Sequence, residues 1–111
     1  DRVLCHVAEV LKSTARQGDL ICRLGGEEFV VIALNTDGAG ALQLAERTRV
    51  AIEHSQVPGV GAGQPIRCTA TIGVSPEFSS AHALDGVLQQ ADAALYRGKT
   101  SGRNRVEGVV A

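Results

Sequence analysis

Aromatic residues are scarce in this chain of 111 residues, which has one Tyr, two Phe, no Trp and no Met. A core must therefore be aliphatic, and platforms on which the bases of single-stranded nucleic acid stack are not expected. The chain also has no marked excess of positive or negative charge, because its formal net charge is -1. Its overall charge therefore does not attract it to nucleic acid or to membrane surfaces. No apolar run approaches membrane-spanning length. These absences favour one globular domain with an aliphatic core.

Metal-binding patterns of cysteine and histidine are absent as well. Cys5, Cys22 and Cys68 are widely spaced and form neither a C-x-x-C pair nor a zinc pattern. An odd number of distant cysteines argues against a disulfide framework. Because all three lie in apolar stretches, we interpret them as small hydrophobic residues.

The most informative segment is the run Gly25-Gly26-Glu27-Glu28-Phe29, which lies between two short apolar stretches rich in β-branched residues. Two strands joined by a glycine turn are expected here, as a hairpin over about 20–34. Adjacent carboxylates repel each other, and a divalent cation is the natural group to neutralise them. Glycine, which has no Cβ, lets a bulky ligand approach the backbone. The segment therefore indicates a nucleotide-and-metal site, with a solvated hairpin tip as the alternative.

Hydrophobic periodicity places further elements around this hairpin. Between Gln56 and Pro65, two prolines and three glycines predict a loop. The element order is α-β-β-α-β-α-β. Helices are predicted over about 2–16, 38–54 and 83–98, and further strands over about 66–75 and 104–109.

The hairpin segment resembles the signature loop of the GGDEF family, the diguanylate cyclases, in its GGEEF spelling. Three further stretches are similar to motifs of that family and follow in the family's order. Each motif is weak alone, but their order makes the resemblance specific. The three are Arg16-Gln17-Gly18-Asp19 (an RxxD motif), the strand Thr69–Ser75, and the helix Asp92-Ala93-Ala94-Leu95-Tyr96 followed by Lys99-Thr100-Ser101-Gly102-Arg103-Asn104-Arg105.

The resemblance implies an α/β (α+β) fold, the ferredoxin-like palm of nucleotidyl cyclases, in which helices cover an antiparallel sheet. In the family, a strand and a helix precede the stretch that aligns with Asp1, and they bring a metal-binding aspartate and a guanine-binding asparagine. Residues 1–111 are therefore expected to be the C-terminal two-thirds of a single GGDEF domain. A palm without its first strand has unpaired strand edges, so we expect this chain to associate through such an edge.

The activity implied by the resemblance is the condensation of two GTP molecules into cyclic di-GMP, with release of two pyrophosphates. Glu27 and Glu28 are the catalytic and metal-binding residues by their position in the motif, with Mg²⁺ or Mn²⁺ as the cofactor. Which glutamate binds the metal and which assists the attacking hydroxyl is left open.

The resemblance also assigns the residues that bind the substrate. Asp1 would accept hydrogen bonds from the guanine edge. Gly25 and Gly26 would let the guanosine approach the turn, and Lys99 and Arg103 would hold the triphosphate. The alternative for these two cations is that they only complement the macrodipole at a helix C-terminus.

A second site is indicated by Arg16 and Asp19. An Arg fork can hold a guanine edge or a phosphate, and an Asp can accept from guanine N1 and N2. The resemblance assigns this pair to product inhibition by cyclic di-GMP, with Arg47 as a second arginine, while Gln43 stands where a further arginine sometimes occurs. The alternative is an i,i+3 pair that only caps a helix end.

One such domain binds one GTP, so the resemblance implies a homodimer, driven by an upstream sensory or receiver domain and located in the cytoplasm. The parent protein can be membrane-anchored, whereas this segment is expected to contact neither nucleic acid nor membrane. Two alternatives are a non-catalytic cyclic di-GMP receptor and an oligomerisation module. The intact GGEEF loop argues against the receptor, and the Lys99/Arg103 pair argues against the module.

Overall fold

The computed structural model describes residues 2–57 and 66–108. The order of helices and strands is the predicted one, and most of the predicted 56–65 loop lies outside the described residues. Within the described ranges, no helix is both long and apolar enough to cross a membrane. The elements are α1 (Arg2–Thr14), β1 (Leu20–Gly25), β2 (Glu28–Ile32), α2 (Gly38–His54), β3 (Ile72–Val74), a 3₁₀ turn (Ala81–Ala83), α3 (Leu84–Thr100) and β4 (Val106–Gly108).

Helix α2 begins at a side-chain cap and packs against α1. Asp37 is the N-cap, and its Oδ1 accepts a hydrogen bond from the backbone N–H of Gly40 at 2.7 Å. Toward the end of α1, the hydroxyls of Thr14 and Thr48 are 3.0 Å apart. Nearer its start, Nε2 of His6 lies 2.8 Å from Oγ of Ser55. These polar contacts fix how α1 lies along α2.

Strands β1 and β2 form the antiparallel hairpin that the glycine turn predicts, with Leu20 opposite Ile32 and Arg23 opposite Phe29. The other pair, β3 and β4, is parallel. Helix α3 connects these two strands, and a helical crossover brings the second strand back in the same direction as the first. Of the two described strand pairs, the β1–β2 hairpin has the expected antiparallel pairing.

The strand predicted over 66–75 is shorter in the structure, where β3 spans Ile72–Val74. Ile66 instead forms an isolated bridge to Val57. A strand extends only as far as it has a neighbour, and among the described residues only Val106–Gly108 runs beside this segment. The last strand, predicted over 104–109, is likewise limited to β4, and Val109 lies outside the described residues.

The hydrophobic core lies between α2, α3 and the β3–β4 pair, with α1 on the outer side of α2. By contrast, none of the described helices packs closely against the β1–β2 hairpin, and Leu20 and Leu24 are 53% and 66% exposed. Among the described residues, no further strand pairs with the outer edges of the hairpin. The buried hydrophobic residues in the described part of the chain are Leu11, Leu44, Ala45, Ile52, Val57 and Ala94.

The cysteines do not contribute to this core in the way we expected. All three are free thiols, and Cys5 and Cys22 are exposed. Cys68 is half-buried, and burial raises the pKa of its thiol.

Helix α3 lies directly on β3 because Gly73 has no side chain. A Cβ at Gly73 would collide with the carbonyl oxygen of Ala91 and would lie 2.5 Å from the backbone nitrogen of Leu95. Both neighbours are backbone atoms, which cannot turn away. The β3–α3 contact therefore requires glycine at this position.

We expect Gly73→Ala to lower the free energy of unfolding by about 3 kcal/mol, the upper end of overpacking costs, because the helix must move off the strand. Gly86→Ala is the matched control, since a Cβ at Gly86 in α3 would meet no atom within 4 Å. It should raise the free energy of unfolding by about 0.5–1 kcal/mol, because Ala favours the helix. Urea denaturation followed by circular dichroism measures both, and equal effects would contradict the proposed contact.

Candidate functional site

The predicted nucleotide-and-metal segment forms the tip of the β1–β2 hairpin. Gly25 and Gly26 have φ angles of 146° and 53°, a region that side chains with a Cβ rarely adopt. A Cβ on either glycine would meet no atom within 4 Å, so the space around the turn is open. Glu27 and Glu28 are exposed on this tip. A ligand can therefore reach both carboxylates and the bare backbone beside them.

Arg23 braces this turn, a role that the sequence analysis missed. Its Nε and Nη2 donate to the carbonyl oxygen of Gly26 at 2.9 and 2.5 Å. Hydrogen bonds from a charged guanidinium are stronger than neutral ones, so the turn is held from the strand that precedes it. The available signal was a single charged residue within β1, just before the glycines.

The two glutamates at the tip fit a divalent cation that is shared with a nucleotide. Carboxylate oxygens are ligands that Mg²⁺ prefers, and Mg²⁺ is usually held by one or two carboxylates together with substrate phosphates. Across residues 2–57 and 66–108, no group of three or more His, Cys, Asp or Glu side chains could hold a metal ion. The exposed carboxylates of Glu27 and Glu28 are oxygen donors of the kind that such a cation takes.

The predicted triphosphate-binding cations lie at the C-terminal end of α3. Lys99 is exposed in the last turn and lines a shallow depression of about 250 Å³ together with Asp92 and Tyr96. The backbone N–H of Arg103 donates to the carbonyl of Gly98 at 3.0 Å, which closes the end of the helix. The side chains of Lys99 and Arg103 form no hydrogen bond or ion pair with any described residue. Both cations are therefore available to an anionic ligand.

The structure places the predicted catalytic and substrate-binding residues in two groups. No hydrogen bond or ion pair between described residues joins the hairpin tip to the end of α3. Asp1, the predicted guanine contact, lies outside the described residues. The tip holds Gly25, Gly26, Glu27 and Glu28, and the end of α3 holds Lys99 and Arg103.

The predicted inhibitory residues lie together around the C-terminal end of α1. Oδ2 of Asp19 accepts from the backbone N–H of Arg16 at 2.9 Å, and Oδ1 accepts from the backbone N–H of Leu34 at 3.1 Å. Nη2 of Arg47 donates to the carbonyl of Thr14 at 2.6 Å. Asp19 therefore closes the α1–β1 connection and ties it to the end of the hairpin.

The side chains of Arg16 and Asp19 do not pair with each other, but Asp19 binds the backbone of Arg16 just beyond the end of α1, which is the local role that the helix-end alternative gives it. The carboxylate of Asp19 binds backbone N–H groups, and the guanidinium of Arg16 has no hydrogen-bond or ion-pair partner within the described part of the chain. Arg16 is exposed. It therefore presents a cationic fork to solvent next to a fixed carboxylate.

Comparisons with known proteins agree on one family. The sequence profile described as "Diguanylate cyclase, GGDEF domain" matches residues 1–105. Diguanylate cyclase A of Treponema denticola is 40% identical over 106 residues, which are 96% of this chain and 28% of that protein. The chain spans about a quarter of the length of the curated relatives it matches.

Solved structures agree on the fold. The active GGEEF domain of a diguanylate cyclase from Vibrio cholerae has a TM-score of 0.85 at 29% identity, covering 98% of this chain and 67% of that chain. The GGDEF domain of DgcB from Caulobacter crescentus in complex with c-di-GMP has a TM-score of 0.77 at 27% identity, covering 96% of this chain and 62% of that chain. The predicted α+β cyclase fold is confirmed.

The hydrogen bonds of Asp19 predict a structural role that Arg16 lacks. Asp19→Ala should lower the free energy of unfolding by about 1–2 kcal/mol, because two backbone N–H groups lose their acceptor. Arg16→Ala should change it by no more than about 0.5 kcal/mol, as for an exposed side chain without partners. Urea denaturation of both variants tests this difference. Equal losses in the two variants would show that the Arg16 side chain has a structural partner.

Proposed function

The chain belongs to the GGDEF family of diguanylate cyclase domains, and on that premise we propose that the whole protein condenses two GTP molecules into cyclic di-GMP. The observation that carries this proposal is the hairpin tip. Its two positive-φ glycines leave the backbone bare, and both glutamates beside them are exposed. A tip that served only as a surface turn would also need glycines at positive φ, but it would not need two adjacent exposed acids.

In the proposed reaction, the 3′-hydroxyl oxygen of each GTP forms a bond to the α-phosphorus of the other, and pyrophosphate leaves. Gly25 and Gly26 let the guanosine lie against the turn, which Arg23 keeps in one conformation. One of Glu27 and Glu28 would hold Mg²⁺ or Mn²⁺, and the other would hold a metal or contact the attacking hydroxyl. When it is bound, the cation would neutralise part of the negative charge on the phosphates. The protein itself contributes mainly positioning and electrostatic stabilisation.

Lys99 and Arg103 hold the triphosphate in this proposal. Both are exposed and carry no internal partner among the described residues, so binding a phosphate does not require breaking an ion pair. Arg can bind phosphate oxygens with two parallel hydrogen bonds, whereas Lys acts as a point charge. Asp1 would accept from the guanine edge, as the resemblance implies.

A homodimer is part of the same proposal, because one domain holds one GTP and the two substrates must face each other. The open edges of the hairpin are a candidate contact between copies. We also place the reaction in the cytoplasm, under the control of an upstream sensory or receiver domain.

Product inhibition through Arg16, Asp19 and Arg47 completes the proposal. The exposed guanidinium of Arg16 supports it, as does the c-di-GMP bound to the similar DgcB domain. Each oxygen of Asp19 already accepts one backbone hydrogen bond, and a carboxylate oxygen has a second lone pair that can accept from guanine. Arg47 uses one nitrogen on Thr14 and keeps other N–H groups for a ligand.

Synthesis is tested by incubating the whole protein with GTP and Mg²⁺ and measuring cyclic di-GMP by mass spectrometry. Glu27→Gln and Glu28→Gln should each lower turnover by about 100-fold or more, the scale of losing a group that acts on the reacting atoms. Glu77→Gln is the matched control, because Glu77 is exposed in the segment between β3 and the 3₁₀ turn. Wild-type turnover in both tip variants would contradict the assignment. Product binding without any synthesis would favour the receptor alternative.

The inhibitory site is tested by calorimetric titration of cyclic di-GMP into this chain. Arg16→Ala should weaken binding by about 10- to 100-fold, because charge-assisted hydrogen bonds are lost. Lys12→Ala, an exposed position on α1, should leave the affinity unchanged. Equal affinity for wild type and Arg16→Ala would contradict the site, with circular dichroism confirming that both are folded.

A further inference from the structure

The loop that follows α3 has an unusual backbone. Gly102, Arg103 and Asn104 have φ angles of 121°, 63° and 48°, so two successive residues with side chains are left-handed. Such a conformation is unfavourable for a residue with a side chain and persists only when its surroundings impose it. One of the two is Arg103, a cation of the proposed triphosphate site. The contacts that impose this conformation therefore decide where Arg103 lies.

Asn104 is held by three partners from distant parts of the chain. Its Oδ1 accepts from Nη1 of Arg49 at 2.9 Å, and its Nδ2 donates to Oε2 of Glu53 at 2.5 Å. Its backbone N–H donates to Oγ1 of Thr71 at 3.0 Å. Because a guanidinium only donates and a carboxylate only accepts, the amide has one favourable orientation. We call the side chains of Arg49, Glu53 and Asn104 the Asn104 clamp.

Arg49 is itself fixed on α2. Its Nε and Nη2 donate to the two carboxylate oxygens of Glu46 at 2.7 and 2.8 Å, and Nη1 also reaches Glu53 at 3.3 Å. The Arg49 side chain is only 15% exposed. The hydrogen bond from Asn104 lowers the pKa of Glu53, and the hydrogen bond from Arg49 lowers the pKa of Glu46. The clamp is therefore anchored in a charged and connected network.

The clamp lies next to the side chain of Arg103, which has no hydrogen-bond or ion-pair partner among the described residues. Arg103 precedes Asn104, and its backbone N–H is bound to Gly98 at 3.0 Å. Its backbone is thus fixed on one side by α3 and on the other by α2, while its guanidinium makes no bond to the described residues. Fixing the backbone in advance lowers the entropy lost when a flexible side chain binds its ligand.

We propose that the Asn104 clamp positions Arg103 for the triphosphate of a nucleotide, and so sets nucleotide affinity without touching the ligand. This inference rests on the proposed function, because it takes Arg103 to bind phosphate. The clamp residues are positioning residues. A purely structural network would stabilise the fold equally whether or not Arg103 carried its guanidinium.

The test is a double-mutant cycle on the whole protein, read as affinity for the non-reactive analogue guanosine 5′-[α,β-methylene]triphosphate. Asn104→Gly keeps a residue that accepts the left-handed backbone and removes the clamp. It should weaken binding by about 10-fold in the wild-type background, and by less than about 2-fold in Arg103→Ala. Equal losses in both backgrounds, or no loss in either, would overturn the proposal.

A charge-conserving exchange provides the rescue. Asn104→Asp alone places a carboxylate against Glu53 and should weaken binding of the analogue. Adding Glu53→Gln should restore affinity to within about 3-fold of wild type, since the new carboxylate accepts from both Arg49 and the new amide. Failure of this rescue in a folded double variant would overturn the proposal.

The proposed function and the role of the clamp are contradicted by different results. If wild-type protein does not bind the analogue, the proposed function fails and the inference fails with it. If wild-type protein binds but the cycle is additive, only the inference fails. Circular dichroism of each variant reports independently that it is folded.

Discussion

The close approach of α3 to β3 is the constraint on which the position of the candidate residues Lys99 and Arg103 depends. Gly73 lets the helix backbone rest on the strand, and a Cβ at Gly98 would lie only 2.7 Å from Cγ2 of Thr71. Thr71 in turn accepts from the backbone of Asn104, and the backbone N–H of Ile72 donates to the carbonyl of Arg105 at 2.9 Å. Two positions without side chains thus determine where α3 ends and where the loop carrying the cations begins.

The hairpin tip is determined differently, by interactions that are local in sequence. Positive φ angles at Gly25 and Gly26 make the turn, and Arg23 braces it from three residues away. Asp19 binds the backbone of Leu34, which joins the two ends of the hairpin. This local determination explains why the tip keeps its shape although no described helix packs closely against it.

The parts that could be predicted from the sequence are those whose signal is periodic or local. The helical spacing of Leu84, Leu88, Ala91 and Leu95 predicts the inward face of α3, and none of these residues is fully exposed. The glycine run predicts the hairpin for the same reason. The Asn104 clamp could not be predicted, because Asn104 lies more than fifty positions along the chain from both Arg49 and Glu53. The length of β3 depends on a partner strand, which a local pattern does not contain.

The two groups of candidate residues carry opposite charge, and this separation suits a metal-bound triphosphate. The acids at the tip attract a cation, and the cations at the end of α3 attract phosphate, so a nucleotide with its metal has a partner in each group. Among the described residues, no hydrogen bond or ion pair joins the two groups. In the proposed function, the nucleotide and its metal supply the interaction that links them. Fixing each group in advance, with Arg23 at the tip and the Asn104 clamp at the loop, lowers the conformational entropy that is lost when the nucleotide binds.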